Sequence, residues 1–131
     1  MTTQVDVVYD GIRRSVVQLT AVSEGGVAES MVKKIDVEQL QYRPSVVGIQ
    51  EIAYDVSGGL VRLWWEADDP KLIVELTGQS VFCYDDMGDL PNPRPPGFTG
   101  NILLSAVGFD IGSSYTIKLK LKKKNNRSPV A

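Results

Sequence analysis

The sequence predicts an all-β protein: one antiparallel β-sandwich domain of jelly-roll type, built from about eight or nine short strands. Three observations support this prediction. Apolar and polar residues alternate in several runs, and glycine-containing turn sequences separate the runs. The 131 residues are enough for one hydrophobic core, yet no apolar stretch reaches the ~18 residues that cross a bilayer. We therefore expect a single domain over residues 1–131 and no membrane association.

The most regular alternation lies in residues 114–123, near the end of the chain. Its apolar residues are Tyr115, Ile117, Leu119 and Leu121, and they alternate with Thr116, Lys118, Lys120 and Lys122. Successive side chains of a strand point to opposite faces of the sheet. The sequence therefore predicts a strand with one buried face and one face lined with lysines.

Eight further segments have the alternation or the β-branched content of strands. They are residues 5–9, 12–22, 31–37, 49–56, 60–66, 72–77, 80–84 and 101–107. The region 28–40 is the least regular, because Val27, Met31 and Ile35 also share a helical spacing. A strand through Ile35 and Val37 is preferred there over a helix.

Glycine-rich turn sequences lie between these segments, at residues 10–11, 24–26, 57–59, 77–79 and 110–112. Ser57-Gly58-Gly59 is the strongest hairpin signal, because the runs on its two sides each have one apolar face. The alternation places Trp65 in the core and Trp64 on the opposite face. There Trp64 either packs, under a loop or in the second layer of the sandwich, or anchors an interface.

The β pattern stops over residues 85–100, where a proline-rich sequence predicts a stiff surface loop. A loop of this length is either a crossover between two sheets or an arm that contacts a partner, and the two interpretations carry equal weight. The predicted partner-contact residues are Leu90, Pro91, Pro93, Arg94, Pro95, Pro96 and Phe98 of this loop, together with Trp64.

Charge is distributed unequally along the chain. Residues 1–117 contain 8 Lys or Arg and 16 Asp or Glu, whereas residues 118–131 contain 6 basic residues and no acidic one. Residues 122–131 are predicted to be a basic tail. The basic groups Lys118, Lys120, Lys122, Lys123, Lys124 and Arg127 could bind nucleic acid or an acidic protein surface. The acidic overall balance favours a structural role instead, in which lysines protect a sheet edge and solvate its outer face.

The sequence contains few motifs that could support catalysis or metal binding. The chain has no histidine and one cysteine, Cys83, which excludes His-based triads, His zinc sites and cysteine-rich metal sites. Cys83 stands in an apolar run and is predicted to be buried. The aspartates at residues 68–69, 85–86 and 89 lie near Pro70 or Gly88, as aspartates in turns commonly do, so they are predicted to be turn residues. We therefore predict no enzyme activity, no catalytic or metal-binding residues and no cofactor.

Segments across most of the chain resemble small virion structural proteins of tailed bacteriophages, of the capsid decoration or cement type. The resemblance is carried by strand and turn signatures: YDG at 9–11, RR at 13–14, VVQL at 16–19, VKKIDV at 32–37, VRLWW at 61–65, GFTGNILLS at 97–105 and SYTIKL at 114–119. None of these motifs has catalytic content, and the resemblance transfers no functional residues.

The resemblance implies a non-enzymatic protein that binds and stabilises the head shell. Its implied partners are the major capsid protein lattice and further copies of itself, as a dimer or trimer, with no membrane or nucleic acid. The first residues show no secretory signal, so synthesis is expected in the bacterial host cytoplasm, before placement on the capsid surface of the virion. A head–tail connector, a tail component or a β-sandwich binding module of another origin are the alternatives.

Overall fold

The computed structural model describes residues 2–23, 29–109 and 111–126. Of these residues 64% lie in antiparallel β-strands, and none lies in an α-helix. The strands are β1 (Thr2–Asp10), β2 (Arg14–Val22), β3 (Val32–Ile35), β4 (Pro44–Trp65), β5 (Lys71–Cys83), β6 (Ile102–Val107) and β7 (Ser114–Asn126). Short 3-10 turns lie at Val37–Gln39 and Asp85–Met87. The all-β prediction is confirmed. Within the described ranges no helix is long and apolar enough to cross a membrane.

The strands form one sheet in the order β1-β2-β7-β4-β6-β3, with β5 also paired to β4. β4 is the central strand of this arrangement. Its first part, through Ser57, pairs with β7, and its second part, from Leu60 on, pairs with β6. β5 pairs with both parts of β4. As a result the sheet curls into a half-barrel.

The hairpin predicted at Ser57-Gly58-Gly59 is wrong, because the chain bends there without reversing. The β4–β5 register shifts between Val56 and Val61, and Gly78 of β5 lies opposite Val56. Gly58 and Gly78 both have positive φ angles, of 87° and 75°. Glycine inside a strand often marks such a bend. Residues 49–56 and 60–66 are therefore one strand, as are 72–77 and 80–84, and the described residues form seven strands where nine were predicted.

The core lies on the inner face of the curled sheet. Tyr115, Ile117, Leu119 and Leu121 of β7 are fully buried, as the alternation predicted. The other fully buried large side chains are Val17, Leu19, Ile49, Ile52, Leu63, Leu76, Ile102 and Leu104. All of them belong to one hydrophobic cluster. Trp65 is buried in this cluster and Trp64 lies on the opposite face, so the prediction for this pair is also confirmed.

Three local predictions need correction. Cys83 is exposed, because Phe82 pairs with Ile52 over the core and the next residue therefore points outward. The strand at 31–37 ends at Ile35, and Val37 begins a 3-10 turn whose N-cap, Asp36, accepts a hydrogen bond from the Glu38 N–H. The predicted tail does not begin at residue 122, since β7 continues to Asn126. The turn at 24–26, Asp110 and residues 127–131 lie outside the described residues.

A buried lysine joins three distant segments. The side chain of Lys123 has no exposed surface, and its Nζ donates to Asp10 Oδ1 (2.5 Å) and to the carbonyls of Gly11 (2.6 Å) and Gln41 (2.8 Å). Asp10 also accepts hydrogen bonds from the Gln41 N–H (2.9 Å) and Ser15 Oγ (2.8 Å). Lys123 was among the predicted surface cations, and that prediction is wrong. Its ammonium instead connects the β1–β2 turn, the segment before β4 and the end of β7.

The stability of the protein should depend on the protonation of Asp10. Partial burial raises the pKa of this carboxyl, but hydrogen bonds from Lys123, the Gln41 N–H and Ser15 more than offset that effect, so the pKa is lowered from 3.8. A lowered pKa means that the carboxylate stabilises the fold fully above its ordinary pKa, and that this contribution is lost as the pH falls below it. Urea denaturation should therefore show a penalty for Asp10→Asn at pH 7 that shrinks below about pH 4. A penalty that is the same at pH 7 and pH 2.5 would contradict this assignment.

Candidate protein-docking surfaces

The proline-rich segment, residues 88–100, is attached to the sheet at its start. Leu90 and Ile49 exchange two backbone hydrogen bonds, of 2.7 and 3.0 Å. The half-buried Leu90 side chain packs against the core. One residue earlier, the Asp89 carboxylate forms an ion pair of 2.6 Å with Lys124 of β7. Leu90, a predicted contact residue, therefore serves to anchor the loop.

The end of the loop is attached through Glu66, which follows β4. Glu66 Oε1 accepts hydrogen bonds from Thr99 Oγ1 (2.6 Å) and Asn101 Nδ2 (3.1 Å). Gly100 has a φ of 86°, and a Cβ atom at this position would lie 2.1 Å from the carbonyl oxygen of Ser45. Only glycine fits this close approach of two backbones. The loop is thus closed onto the body at both ends.

The middle of the loop presents side chains to solvent. Pro91, Pro93, Arg94 and Pro96 are exposed, Pro95 is half-buried, and Phe98 keeps 39% of its surface exposed. Arg94 has a φ of 54°, which is uncommon outside glycine, and its N–H donates to Asn92 Oδ1 at 2.8 Å. The Phe98 N–H donates to the Pro95 carbonyl at 3.0 Å, and the Asp68 N–H donates to the Pro96 carbonyl at 3.2 Å. Internal bonds therefore order the segment that carries Arg94 and Phe98.

Trp64 lies on the outer face of the sheet, opposite Leu103 of β6 and Leu72 of β5. Its ring is half-buried, and Nε1 donates to Ser105 Oγ at 3.0 Å. The indole is therefore fixed in orientation with part of its surface in contact with solvent. This placement fits both roles predicted for Trp64, as a packed side chain and as an anchor of an interface.

β1 forms an edge that the sequence analysis did not single out. Within the described residues it pairs only with β2, and Val7 and Tyr9 keep 51% and 58% of their surfaces exposed. Val5 and Val7 line a groove of about 180 Å³ whose other wall includes Ile35 and Leu40. Lysine and proline commonly protect an edge strand from pairing with other chains. Their absence from residues 2–10 was the sequence signal that could have identified this exposed edge.

The lysine side chains at 118, 120 and 122 lie on the outer face, as predicted, with Lys120 half-buried and the other two exposed. Their predicted role as guards of a sheet edge is wrong, because β7 is a central strand, paired with β2 on one side and with β4 on the other. Of the remaining predicted cations, Lys123 is buried, Lys124 pairs with Asp89, and Arg127 lies outside the described residues.

The part of the chain that the structure describes contains no group of three His, Cys, Asp or Glu side chains that could hold a metal ion. No family model, curated protein or solved structure matches this chain. These comparisons give no link to phage virion proteins. The interaction surfaces must therefore be judged from their own geometry.

Proposed function

We propose that this chain is a non-enzymatic structural protein of a tailed-phage virion, which binds and stabilises the head shell as a capsid decoration protein. One observation carries most of the proposal: the proline-rich loop is attached at both ends yet presents Arg94 and Phe98 to solvent. Arginine and aromatic side chains are enriched at protein interfaces. A loop that is ordered before binding also loses little conformational entropy on contact.

Self-association belongs to the same proposal, as a dimer or trimer. The β1 edge supports it, because an open strand edge with exposed valines can extend its sheet into a neighbouring molecule. An oligomer would engage several lattice sites at once, and effective concentration would then raise a weak single-loop affinity. Partners on this proposal are the major capsid protein and further copies of the chain, on the capsid surface of the virion.

We also propose that the curled sheet completes a jelly-roll-like sandwich. The first part of β4 with β7 and β2, and the second part of β4 with β6, contribute inward side chains to one hydrophobic cluster. Leu119 represents the first group of strands and Leu104 the second. A shared core between two groups of strands is the packing principle of a sandwich.

Replacement of residues 91–98 by a Gly-Ser linker tests the docking role of the loop. The variant should fold, because the anchoring contacts of Leu90, Thr99 and Asn101 remain, but its binding to shells that lack the native protein should weaken at least tenfold in co-sedimentation. Equal sedimentation of variant and wild type would show that the loop is only a crossover.

Shell binding by the wild-type protein, together with its copy number in virions, distinguishes the decoration role from other virion roles. If wild-type protein does not bind such shells, the decoration proposal fails. Copy number in purified virions then separates the alternatives: a handful of copies would favour a head–tail connector or tail component, whereas hundreds would favour the shell.

A further inference from the structure

Four basic side chains form a compact patch on the outer face of the sheet. β7 carries Lys118, Lys120 and Lys122, and the register places Arg14 of β2 directly opposite Lys122. Alternate residues of a strand lie ~6.7 Å apart and neighbouring strands ~4.8 Å apart, so the patch measures roughly 13 by 5 Å. We refer to these four residues as the cationic patch.

The cationic patch differs from most of the other basic groups that the structure describes. Six basic side chains elsewhere form ion pairs: Lys33, Lys34, Arg62, Lys71, Lys123 and Lys124. Within the described ranges, no side chain of the cationic patch has a carboxylate within 4 Å. Like charges opposite one another in a sheet, such as Lys122 and Arg14, oppose folding slightly. Since β7 is central, edge protection does not explain them either.

We propose that the cationic patch is a docking site for an acidic segment of a partner protein. Charge complementarity supports this assignment. The four positive charges are held at fixed spacing on the sheet, in a chain whose net charge is −2, and none of them forms an ion pair within 4 Å with a described residue. Among the four, only Lys120 has an acidic residue, Glu51, directly opposite it in the sheet. Glutamate or aspartate side chains of a partner would supply the missing ion pairs. The proposal rests on the proposed function only for the identity of that partner, which would be the shell protein.

The surroundings of the cationic patch favour protein over nucleic acid. Carboxylates border it on both sides: Asp6 lies opposite Gln18 on β1, and Glu51 and Asp55 lie on β4. DNA carries a phosphate charge every ~1.7 Å along its axis, so a duplex would extend beyond the patch and meet these carboxylates.

An apolar side chain also borders the patch. Val81 is 55% exposed and, with Lys118, lines an open groove of about 330 Å³ on the same face. A protein segment that carries both acidic and apolar side chains matches this combination, whereas a phosphate backbone does not.

Titration of the ¹⁵N-labelled full chain with a glutamate-rich peptide containing leucines tests the proposal. Amide shifts should concentrate at residues 14–20 and 116–122 and weaken as salt is added. Lys118→Gln, Lys120→Gln and Lys122→Gln combined should reduce peptide affinity about tenfold, as expected for three exposed charge pairs. The matched control changes Lys33, Arg62 and Lys71 to Gln, removes the same charge elsewhere, and should change the affinity less than twofold.

Three outcomes would overturn the proposal: no peptide binding at millimolar concentration, equal weakening by the control, or tighter binding of a DNA duplex at physiological salt than of the peptide. Denaturation of the triple variant checks its fold, which should be as stable as wild type because the patch makes no internal ion pair. The titration uses no shells. Failure of the proposed function in shell sedimentation and failure of this inference are therefore separate results.

Discussion

Replacement of Lys123 by methionine is expected to lower the free energy of unfolding by about 3–5 kcal/mol, the usual cost of removing one partner from a buried ion pair. Lys123 Nζ donates to one carboxylate and two carbonyls, at Asp10, Gly11 and Gln41. Methionine fills the same space but donates nothing, so the carbonyls of Gly11 and Gln41 lose this donor, and Asp10 keeps only its hydrogen bonds from the Gln41 N–H and Ser15 Oγ. Urea denaturation at pH 7 measures the difference.

Lys122→Met is the matched control. Lys122 is the neighbouring residue on the same strand, but its side chain is exposed and makes no ion pair with any described residue. Its replacement should change the free energy of unfolding by no more than about 0.5 kcal/mol. If both variants lose the same stability, or if Lys123→Met loses less than about 1 kcal/mol, the buried network does not hold the three segments together.

The contrast between Lys122 and Lys123 shows what alternation can and cannot predict. Period-two alternation correctly assigned the faces of Tyr115 to Lys122, because burial of apolar side chains dominates there. Lys123 continues the buried face, but a lysine gives no sequence signal of burial. Its position is stabilised by Asp10, which lies 113 residues away. Only the three-dimensional structure brings these two residues together.

Glycine signals had the same limitation. Ser57-Gly58-Gly59 has the composition of a tight hairpin, and Gly58 does adopt a positive φ. A positive φ fits a reversal and a bend equally well, and long-range pairing decides between them. Here β6 and β7 occupy the two halves of one edge of β4, and this pairing requires the strand to continue. Local sequence does not contain that information.

The candidate site was predicted in part. The proline content of residues 91–96 indicated a stiff exposed loop, and Arg94 and Phe98 do lie at its surface. The sequence did not reveal that Leu90 anchors the loop or that Glu66 fixes its end, since Glu66 and Thr99 are 33 residues apart. The sequence predicted the three lysines of the cationic patch as a strand face lined with lysines, but only the β2–β7 register shows that Arg14 lies beside them.

Leu119→Ala is expected to destabilise the protein by about 2–5 kcal/mol, the range for truncation of a fully buried leucine. Leu119 has no exposed surface and lies between Val17 of β2 and Ile52 of β4, both of which are also fully buried. Two paired neighbours limit how far the sheet can collapse around the cavity, which favours the upper part of the range. The free energy of unfolding from urea denaturation measures the loss.

Lys120→Ala on the same strand is the control for Leu119→Ala. It shortens the adjacent side chain on the opposite face, where Lys120 lies between Val16 and Glu51, and it should change stability by no more than about 0.5 kcal/mol. The ratio of the two effects tests the face assignment directly. If β7 were shifted by one residue, the two side chains would exchange faces and Lys120→Ala would become the costly change. A loss of similar size in both variants would contradict the assignment of one buried face and one outer face to β7, and with it the outward position of the lysines in the cationic patch.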